Sequence, residues 1–158
     1  MSLADDELAI RQLVAAYADA CNRKDPAAMA SVYAPDGELQ PLNFPGPPIK
    51  GRDKLQKLFT RLMIQRDFLF LTIFSGIVNV DGDTATGRWW IGEMKQVTGE
   101  DRIINMLAVV QDEVVRLEEG WRFSRRKVKP VFNQEIAAKD LHEDPPPYDA
   151  LDILPRPR

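Results

Sequence analysis

The sequence predicts an α+β domain in which helices precede a curved antiparallel sheet. Helical patterns fill most of the chain up to residue 66, and strand patterns follow from residue 68. Turn signals at 81–82, 98–101 and 118–120 divide the second part into four successive strands. The length of 158 residues suits one domain, and the sequence contains neither an internal repeat nor a second core.

The first two helices are predicted from their start signals. Asp5 and Asp6 favour a helix start, with Ser2 as a possible cap just before them. Apolar residues then recur every three or four positions, as in an amphipathic helix: Leu8, Ile10, Leu13, Val14 and Tyr17. Asp25 is the predicted cap of a short second helix that starts at Pro26 and ends near Tyr33.

The region between the second and third helices contains a turn and a short strand. We expect a turn over 34–37 and a strand over 38–42, which the three prolines at 45, 47 and 48 prevent from continuing. A third helix opens at 51–53, and its apolar stripe consists of Leu55, Leu58, Phe59, Leu62 and Met63.

Four strands follow. They are predicted over 68–80, 84–97, 102–117 and 121–132, and Asp81-Gly82 is a strong hairpin turn between the first two. These strands form a meander, which is typical of an antiparallel sheet.

The chain is predicted to divide into a domain over 1–132 and a proline-rich extension over 133–158. The stretch 133–142 reads as a helical turn or short helix. The remainder is either disordered or docks on the sheet or a neighbouring subunit as a lid or contact tail. The apolar anchors in the docking interpretation are Tyr148, Leu151, Ile153 and Leu154.

Composition excludes several classes of function. The net charge of −3 argues against a nucleic-acid partner, because phosphate binding needs a basic face. No apolar stretch approaches the roughly 18 residues of a membrane span, and the acidic start does not resemble a signal peptide, so we expect a cytoplasmic protein. Cys21 is the only cysteine and His142 the only histidine, so we expect no disulfide and no metal site. A glycine-rich phosphate loop is also missing, and we expect no cofactor.

Several short motifs together resemble a known family. They lie at 10–17, 23–25, 33–37, 80–85 and 115–123, the last ending in Gly120-Trp121-Arg122-Phe123. In this order and spacing they resemble the SnoaL-like branch of the nuclear-transport-factor-2-like superfamily over roughly residues 5–130. The resemblance implies a cone-shaped, cystatin-like sheet wrapped around the helices.

Relatives of this kind include ketosteroid isomerase, scytalone dehydratase and polyketide cyclases, while others only bind ligands or dimerise. The resemblance therefore implies a cofactor-independent lyase, dehydratase or isomerase. It would act by acid–base chemistry on a small hydroxylated aromatic or polyketide-like molecule in an apolar pocket. The alternative is a non-catalytic ligand-binding or dimerisation module.

The family pattern also implies which side chains face the cone. On the strand over 102–117 the inward set would be Ile103, Asn105, Leu107, Val109, Gln111, Glu113 and Val115. On the strand over 84–97, Arg88, Trp90 and Gly92 would point inward. Since the other face is also apolar, we expect a second subunit to cover it, giving a homo-oligomer, either a dimer or a trimer.

Three residues are predicted to be catalytic. Tyr17 matches the tyrosine that donates to the oxyanion in ketosteroid isomerase, and Glu113 lies near that enzyme's protonated acid. Arg88 would steady negative charge or pair with Glu113. The competing interpretations are core packing for Tyr17 and a solvated strand end for Glu113.

Further positions are predicted to contact the substrate. Trp90 would stack on a ring, with core filling as the alternative, and Asn105 and Gln111 would orient a carbonyl or hydroxyl. The remaining candidates are Asn22, Leu71, Tyr33 and Phe123. A cavity above about 300 Å³ lined by both Glu113 and Arg88 would favour the enzyme.

The sequence also departs from its relatives. The ketosteroid isomerase base falls near Pro41, and the aspartate and histidine of scytalone dehydratase fall at Asn22 and about Leu71. The basic run 125–129 is read as a solvated face, with acidic-substrate binding as the minority interpretation.

Overall fold

The structure, a computed structural model, describes residues 2–138. The elements in chain order are α1 Leu3–Asn22, α2 Pro26–Ser31, β1 Tyr33–Pro41, β2 Ile49–Lys50, α3 Arg52–Ile64, β3 Arg66–Asp81, β4 Thr84–Val97, β5 Arg102–Leu117 and β6 Gly120–Ala137. The predicted α+β class is confirmed. The four apolar anchors of the tail lie outside the described residues.

Both predicted N-cap residues form capping hydrogen bonds. The Ser2 hydroxyl accepts from the Asp5 backbone N–H at 3.3 Å, and the Asp5 carboxylate accepts from the Ser2 N–H at 2.9 Å. Asp25 Oδ1 accepts from the Ala28 N–H at 2.9 Å, and Pro26 occupies the first helical position. These bonds satisfy N–H groups that a helix start leaves without partners, so α1 and α2 begin where the sequence predicts.

The strands form one curved, unclosed sheet in the order β2-β1-β6-β5-β4-β3. Strands β3 to β6 are the predicted antiparallel meander, and β1 runs parallel to β6. Helix α1 packs on β3, and the buried stripe of α3 consists of Leu55, Phe59 and Met63. We call the sheet face that packs against the helices the inner face, and the opposite one the outer face.

Two local predictions differ from the structure. Residues 34–37 lie inside β1, where the pairing with β6 is irregular between Tyr33 and Glu38, and do not form a separate turn. Strand β6 continues through the predicted boundary at 132 to Ala137 because it pairs with β5 as far as Arg102. The predicted helix is therefore wrong over 133–137, and residues 139–142 lie outside the described range.

The predicted facing of β4 and β5 is also wrong. Met106, Ala108 and Val110 are the buried residues of central β5, and Leu107 between them is exposed. On β4, Trp89 is 3% exposed and Trp90 is 47% exposed. Side chains alternate along a strand, so an error of one residue exchanges the two faces completely. Because both faces of these strands carry apolar residues, the alternation in the sequence does not identify the inner one.

Residues 2–138 contain neither a membrane-spanning helix nor a cluster of metal ligands. No helix in this range is both long and apolar enough to cross a membrane. The same range contains no group of three or more histidine, cysteine, aspartate or glutamate residues placed to hold a metal ion.

Candidate functional site

The helices and the inner face enclose a cavity of about 180 Å³. Its walls are mainly apolar and come from the three helices, β1 and strands β3 to β6. They include Val14, Phe59, Leu69, Leu71, Trp89, Ile91 and Met106. Phe44, in the loop between β1 and β2, also lines the cavity and is 69% exposed, which marks this loop as part of the rim.

A buried ion pair lies on the wall of this cavity. Arg126 on β6 donates to Asp112 on β5 through Nε at 2.8 Å and Nη2 at 2.7 Å, and both residues are at most 3% exposed. Burial alone would lower the pKa of Arg126, but the charge and hydrogen bonds of Asp112 outweigh it and raise the pKa. Arg126 is therefore a permanent cation. Its Nη1 makes no hydrogen bond within residues 2–138, so donors remain for a ligand.

Aromatic rings surround the guanidinium. Arg126 Cζ lies 4.4 Å from the ring centre of Tyr17 and 3.9 Å from that of Phe123. Tyr17 meets the Tyr33 ring edge-on at 6.1 Å. Burial raises the pKa of Tyr17 well above its usual value, so its phenol stays protonated at neutral pH and can donate.

The buried hydroxyl of Tyr33 lies in the same cluster. It forms no hydrogen bond within the described range, and burial raises its pKa as well. Unpartnered buried polar atoms are uncommon, so this hydroxyl, in the cluster around Arg126, marks a polar spot in an apolar environment.

Charged groups of lesser burial line another part of the cavity. Glu93 and Lys95 are two residues apart on β4, so they share a face, and their Oε1 and Nζ atoms lie 2.6 Å apart. Arg66, the first residue of β3, also lines the cavity, and within residues 2–138 its side chain has no ion-pair partner. Three cations and one carboxylate of the described residues therefore line this space.

Cys21 lines the cavity but is not suited to nucleophilic chemistry. Burial raises the pKa of its thiol to about 12. The thiolate is the reactive form, and it is scarce at neutral pH when the pKa is this high.

Four of the predicted site residues lie at or beside the cavity. Tyr17 and Leu71 line it, and the buried rings of Tyr33 and Phe123 pack against Tyr17. Asn22 lies at the end of α1 and is fully engaged by β3. Its Nδ2 donates to the Leu71 carbonyl at 3.0 Å, and its Oδ1 accepts from the Leu71 N–H at 2.7 Å.

The other predicted residues lie on the outer face. Arg88, Gln111 and Glu113 meet in an outer groove of about 360 Å³, where all three are exposed. Trp90 and Asn105 belong to the same face by alternation along their strands. Glu113 pairs with Arg125 at 3.2 Å and not with Arg88, the pairing that was one of the two alternatives for Arg88. The prediction that these five residues face inward is therefore wrong.

A cavity above about 300 Å³ lined by Arg88 and Glu113 was the observation expected to favour an enzyme. The groove that these two residues line has that volume but lies on the outer face, and the inner cavity, at about 180 Å³, is smaller.

Sequence reasoning missed the charged residues that line the cavity, which are Arg126, Glu93, Lys95 and Arg66, and also missed Asp112, which holds Arg126 from behind the lining. One signal was available. Asp112 continues the apolar series Ala108, Val110 and Val114 at two-residue spacing. Because an unpaired acid among buried apolar residues is costly, this pattern predicts a cation beside it.

Comparison with known proteins supports the fold. An NTF2-like protein with a cystatin-like fold from Novosphingobium aromaticivorans is 26% identical, with a TM-score of 0.69 over 82% of this chain and 84% of that one. A proposed scytalone dehydratase from the same species is 19% identical, with a TM-score of 0.75 over 84% and 91%. The hexachlorocyclohexane dehydrochlorinase LinA-type3 from Novosphingobium barchaimii is 17% identical, with a TM-score of 0.74 over 88% and 94%. The last two likenesses show the fold alone.

No curated protein matches the chain. A family model does, and it describes a SnoaL-like domain. Its match runs over residues 2–127 and includes both members of the Arg126–Asp112 pair. Since this span is well over half of the chain, the protein belongs to the SnoaL-like domain family.

Proposed function

We propose that the protein is a cofactor-independent lyase, dehydratase or isomerase that moves protons on a small hydroxylated aromatic or polyketide-like molecule. The observation that carries this proposal is one cavity lined by a buried cation, a protonated phenol and a carboxylate. These groups are Arg126, Tyr17 and Glu93.

Arg126 and Tyr17 are suited to stabilise negative charge on a substrate oxygen. Arg126 has donors at Nη1 that no described residue uses, and Tyr17 is kept neutral by its raised pKa. Hydrogen-bond donors that are already fixed in an apolar site stabilise a developing oxyanion more strongly than water does. We assign the reacting oxygen of the substrate to this part of the cavity.

Glu93 is the group we assign as the base. Its carboxylate would take a proton from the carbon next to the substrate carbonyl, and the electron pair of the C–H bond would move to the oxygen near Arg126. In a dehydration, the electrons return to form the C=C bond as the C–O bond to the leaving hydroxyl breaks. The proton on Glu93 then joins that hydroxyl, and water leaves. In an isomerisation, Glu93 returns the proton to another carbon.

The size of the cavity limits the substrate. An engineered protein cavity of about 150 Å³ holds benzene. A space of about 180 Å³ therefore suits a molecule with a single ring and small substituents.

The test is a thermal-shift screen of one-ring hydroxylated aromatics and cyclic hydroxyketones. Each hit is then incubated in D2O, and deuterium uptake and water loss are followed by NMR and mass spectrometry. We expect Glu93→Gln to bind the hit but to lose exchange and turnover by about 10²-fold or more. Glu113→Gln on the outer face is the matched control and should behave as wild type. Unchanged exchange in Glu93→Gln would remove Glu93 as the base.

A second candidate function is ligand binding without turnover. It is favoured by the Lys95 ammonium 2.6 Å from Glu93, which holds that carboxylate as an ion pair. In that case the hits of the screen raise the melting temperature by mass action, but no hit exchanges deuterium in the wild-type protein.

We also propose that the outer face is covered by a second copy of the chain, in a dimer or trimer. Large apolar side chains are exposed there, including Phe70, Phe74, Trp90, Leu107 and Phe132. A patch of this kind on a lone domain is costly in water. Light scattering should give a multiple of the chain mass for the wild-type protein and the single-chain mass for Trp90→Arg. A monomeric wild-type protein would contradict this assembly.

A further inference from the structure

We propose that the natural ligand of the cavity is a one-ring acid whose carboxylate pairs with Arg66, at the opposite end of the cavity from Arg126. This inference rests on the proposed function, because it names the class of molecule that the same cavity takes.

The positions of the two arginines along the sheet place them at opposite ends of the cavity. Asp112, the partner of Arg126, pairs across the sheet with Gly87 near the start of β4. Arg66 pairs with Val97, the last residue of β4. Because both arginine side chains line one cavity, they reach it from opposite ends of the strand.

The two arginines differ in whether a carboxylate of the protein neutralises them. Arg126 is held by the carboxylate of Asp112, which leaves only hydrogen-bond donors for a ligand. No carboxylate within residues 2–138 pairs with Arg66. The nearby Asp67 carboxylate instead accepts from the Thr98 hydroxyl at 2.8 Å.

A second cation strengthens the positive field at this end. The Lys24 Nζ donates to the backbone carbonyls of Arg66 and Asp67 at 2.6 and 2.8 Å. Within the described residues Lys24 also lacks a carboxylate partner. Carbonyl oxygens hold an ammonium in place without cancelling its charge, so the field of Lys24 adds to that of Arg66.

Among the charged groups named at this end, the three cations Arg66, Lys24 and Lys95 outnumber the two carboxylates, Glu93 and Asp67. Glu93 is the one carboxylate that the described residues place on the lining, and it is 2.6 Å from Lys95. The protein as a whole carries a net charge of −3, so the cationic lining is a local feature. An apolar cavity with a cationic end selects an anionic ligand, because a charge without a partner in such a space is costly.

The test uses three molecules of the same shape and different charge. These are 4-hydroxybenzoate, 4-hydroxybenzamide and 4-hydroxybenzamidine, titrated by calorimetry into the full chain at 20 mM and 300 mM NaCl. We expect the benzoate to bind about tenfold more tightly than the neutral amide at low salt. Its affinity should fall at high salt, whereas that of the amide should not change.

Arg66→Gln tests the residue itself. Arg66 is only partly buried, so this variant should fold, and it should lower the benzoate affinity by roughly three- to tenfold while leaving amide binding unchanged. The matched control is Arg61→Gln, at an exposed position of α3, which should change neither affinity.

Each alternative result has a distinct meaning. Equal binding of benzoate and amide, or a preference for the amidine, overturns the acid inference and leaves the proposed function in place. The same holds if Arg66→Gln and Arg61→Gln have equal effects. If none of the three molecules binds, the one-ring pocket of the proposed function fails together with the inference.

Discussion

The two faces of the sheet give neighbouring residues of the same strands opposite environments. The side chain of Arg126 is 4% exposed and donates to Asp112 through Nε and Nη2, whereas the side chain of Arg125, one residue earlier, is 41% exposed and pairs with Glu113 at 3.2 Å. On β4, Trp89 is buried and Trp90 is exposed. Charges on the inner face are withdrawn from water and interact strongly, whereas those on the outer face are screened. Chemistry that depends on a desolvated charge is therefore confined to the inner face.

The largest difference in the free energy of unfolding is expected between variants of the two acids of β5, Asp112 and Glu113. Asp112→Ala leaves Arg126 as a buried charge without a partner and should lower the free energy of unfolding by about 3–5 kcal/mol. Glu113→Ala removes an exposed ion pair, and the change should stay below about 1 kcal/mol. Urea unfolding followed by circular dichroism measures both. Equal effects would show that the two faces do not differ in this way.

The adjacent tryptophans of β4 allow a second comparison of the two faces, based on packing. Trp89→Ala empties a buried site and should cost about 3–5 kcal/mol of unfolding free energy. Trp90→Ala should cost less than about 1 kcal/mol in the monomer, because its side chain is already half exposed. The same urea titrations report on this pair when they are run at a protein concentration at which light scattering shows the single chain. Under that condition a larger loss for Trp90→Ala would reverse the assignment of faces.

Two glycines provide a smaller, steric version of the comparison. A Cβ at Gly76 would lie 2.0 Å from Cε3 of the buried Trp89, so Gly76→Ala forces a packed ring to move and should cost about 1–3 kcal/mol. A Cβ at Gly92 would lie 2.9 Å from Cζ of the exposed Phe74, which can turn into solvent. Thermal unfolding of Gly92→Ala should therefore stay close to wild type. A greater loss of melting temperature for Gly92→Ala than for Gly76→Ala would contradict this.

The smallest expected effect concerns pH. The Asp6 carboxylate accepts from Arg116 through Nη1 and Nη2, each at 2.7 Å, and from the buried Trp121 Nε1 at 3.2 Å. The hydrogen bonds from Arg116 lower the pKa of Asp6 in the folded protein. Its contribution to stability is therefore fully present above its unfolded pKa of about 3.9 and is lost as the pH falls through the lower folded value.

Asp6→Asn should accordingly reduce the melting temperature at pH 7 and flatten its decline below about pH 4. Asp53→Asn, at an exposed position of α3, is the control and should keep the wild-type profile. A wild-type acid profile in Asp6→Asn would exclude this linkage.

The sequence was sufficient for the order of the helices and of every strand except the two-residue β2. Ser2, Asp25 and Pro26 mark the helix starts, because caps and N1 prolines act through neighbouring residues alone. Gly82, with φ near +59°, lies in the predicted hairpin turn between β3 and β4, although the two turn residues are Gly82 and Asp83, one position later than predicted. Local signals of this kind do not depend on the rest of the fold.

The face of each strand could not be predicted in the same way. Counting back from the Leu117–Gly120 pair places Asp112 opposite Arg125. The pairing shifts by one residue between Glu113 and Val114, so Arg126 is the actual partner. A bulge of this kind leaves no local signal in these residues, yet it decides which arginine enters the cavity. The extension of β6 beyond residue 132 is likewise set by its pairing with β5.

The claim that the site lies on the inner face is tested most directly by locating a bound hydroxylated ring. Crystals soaked with 4-bromophenol, measured at the bromine absorption edge, would locate the bromine by its anomalous signal. We expect the peak inside the cavity, near Tyr17, Trp89 and Arg126. A peak in the outer groove beside Arg88 and Glu113, with an empty inner cavity, would contradict the central claim that the site lies on the inner face.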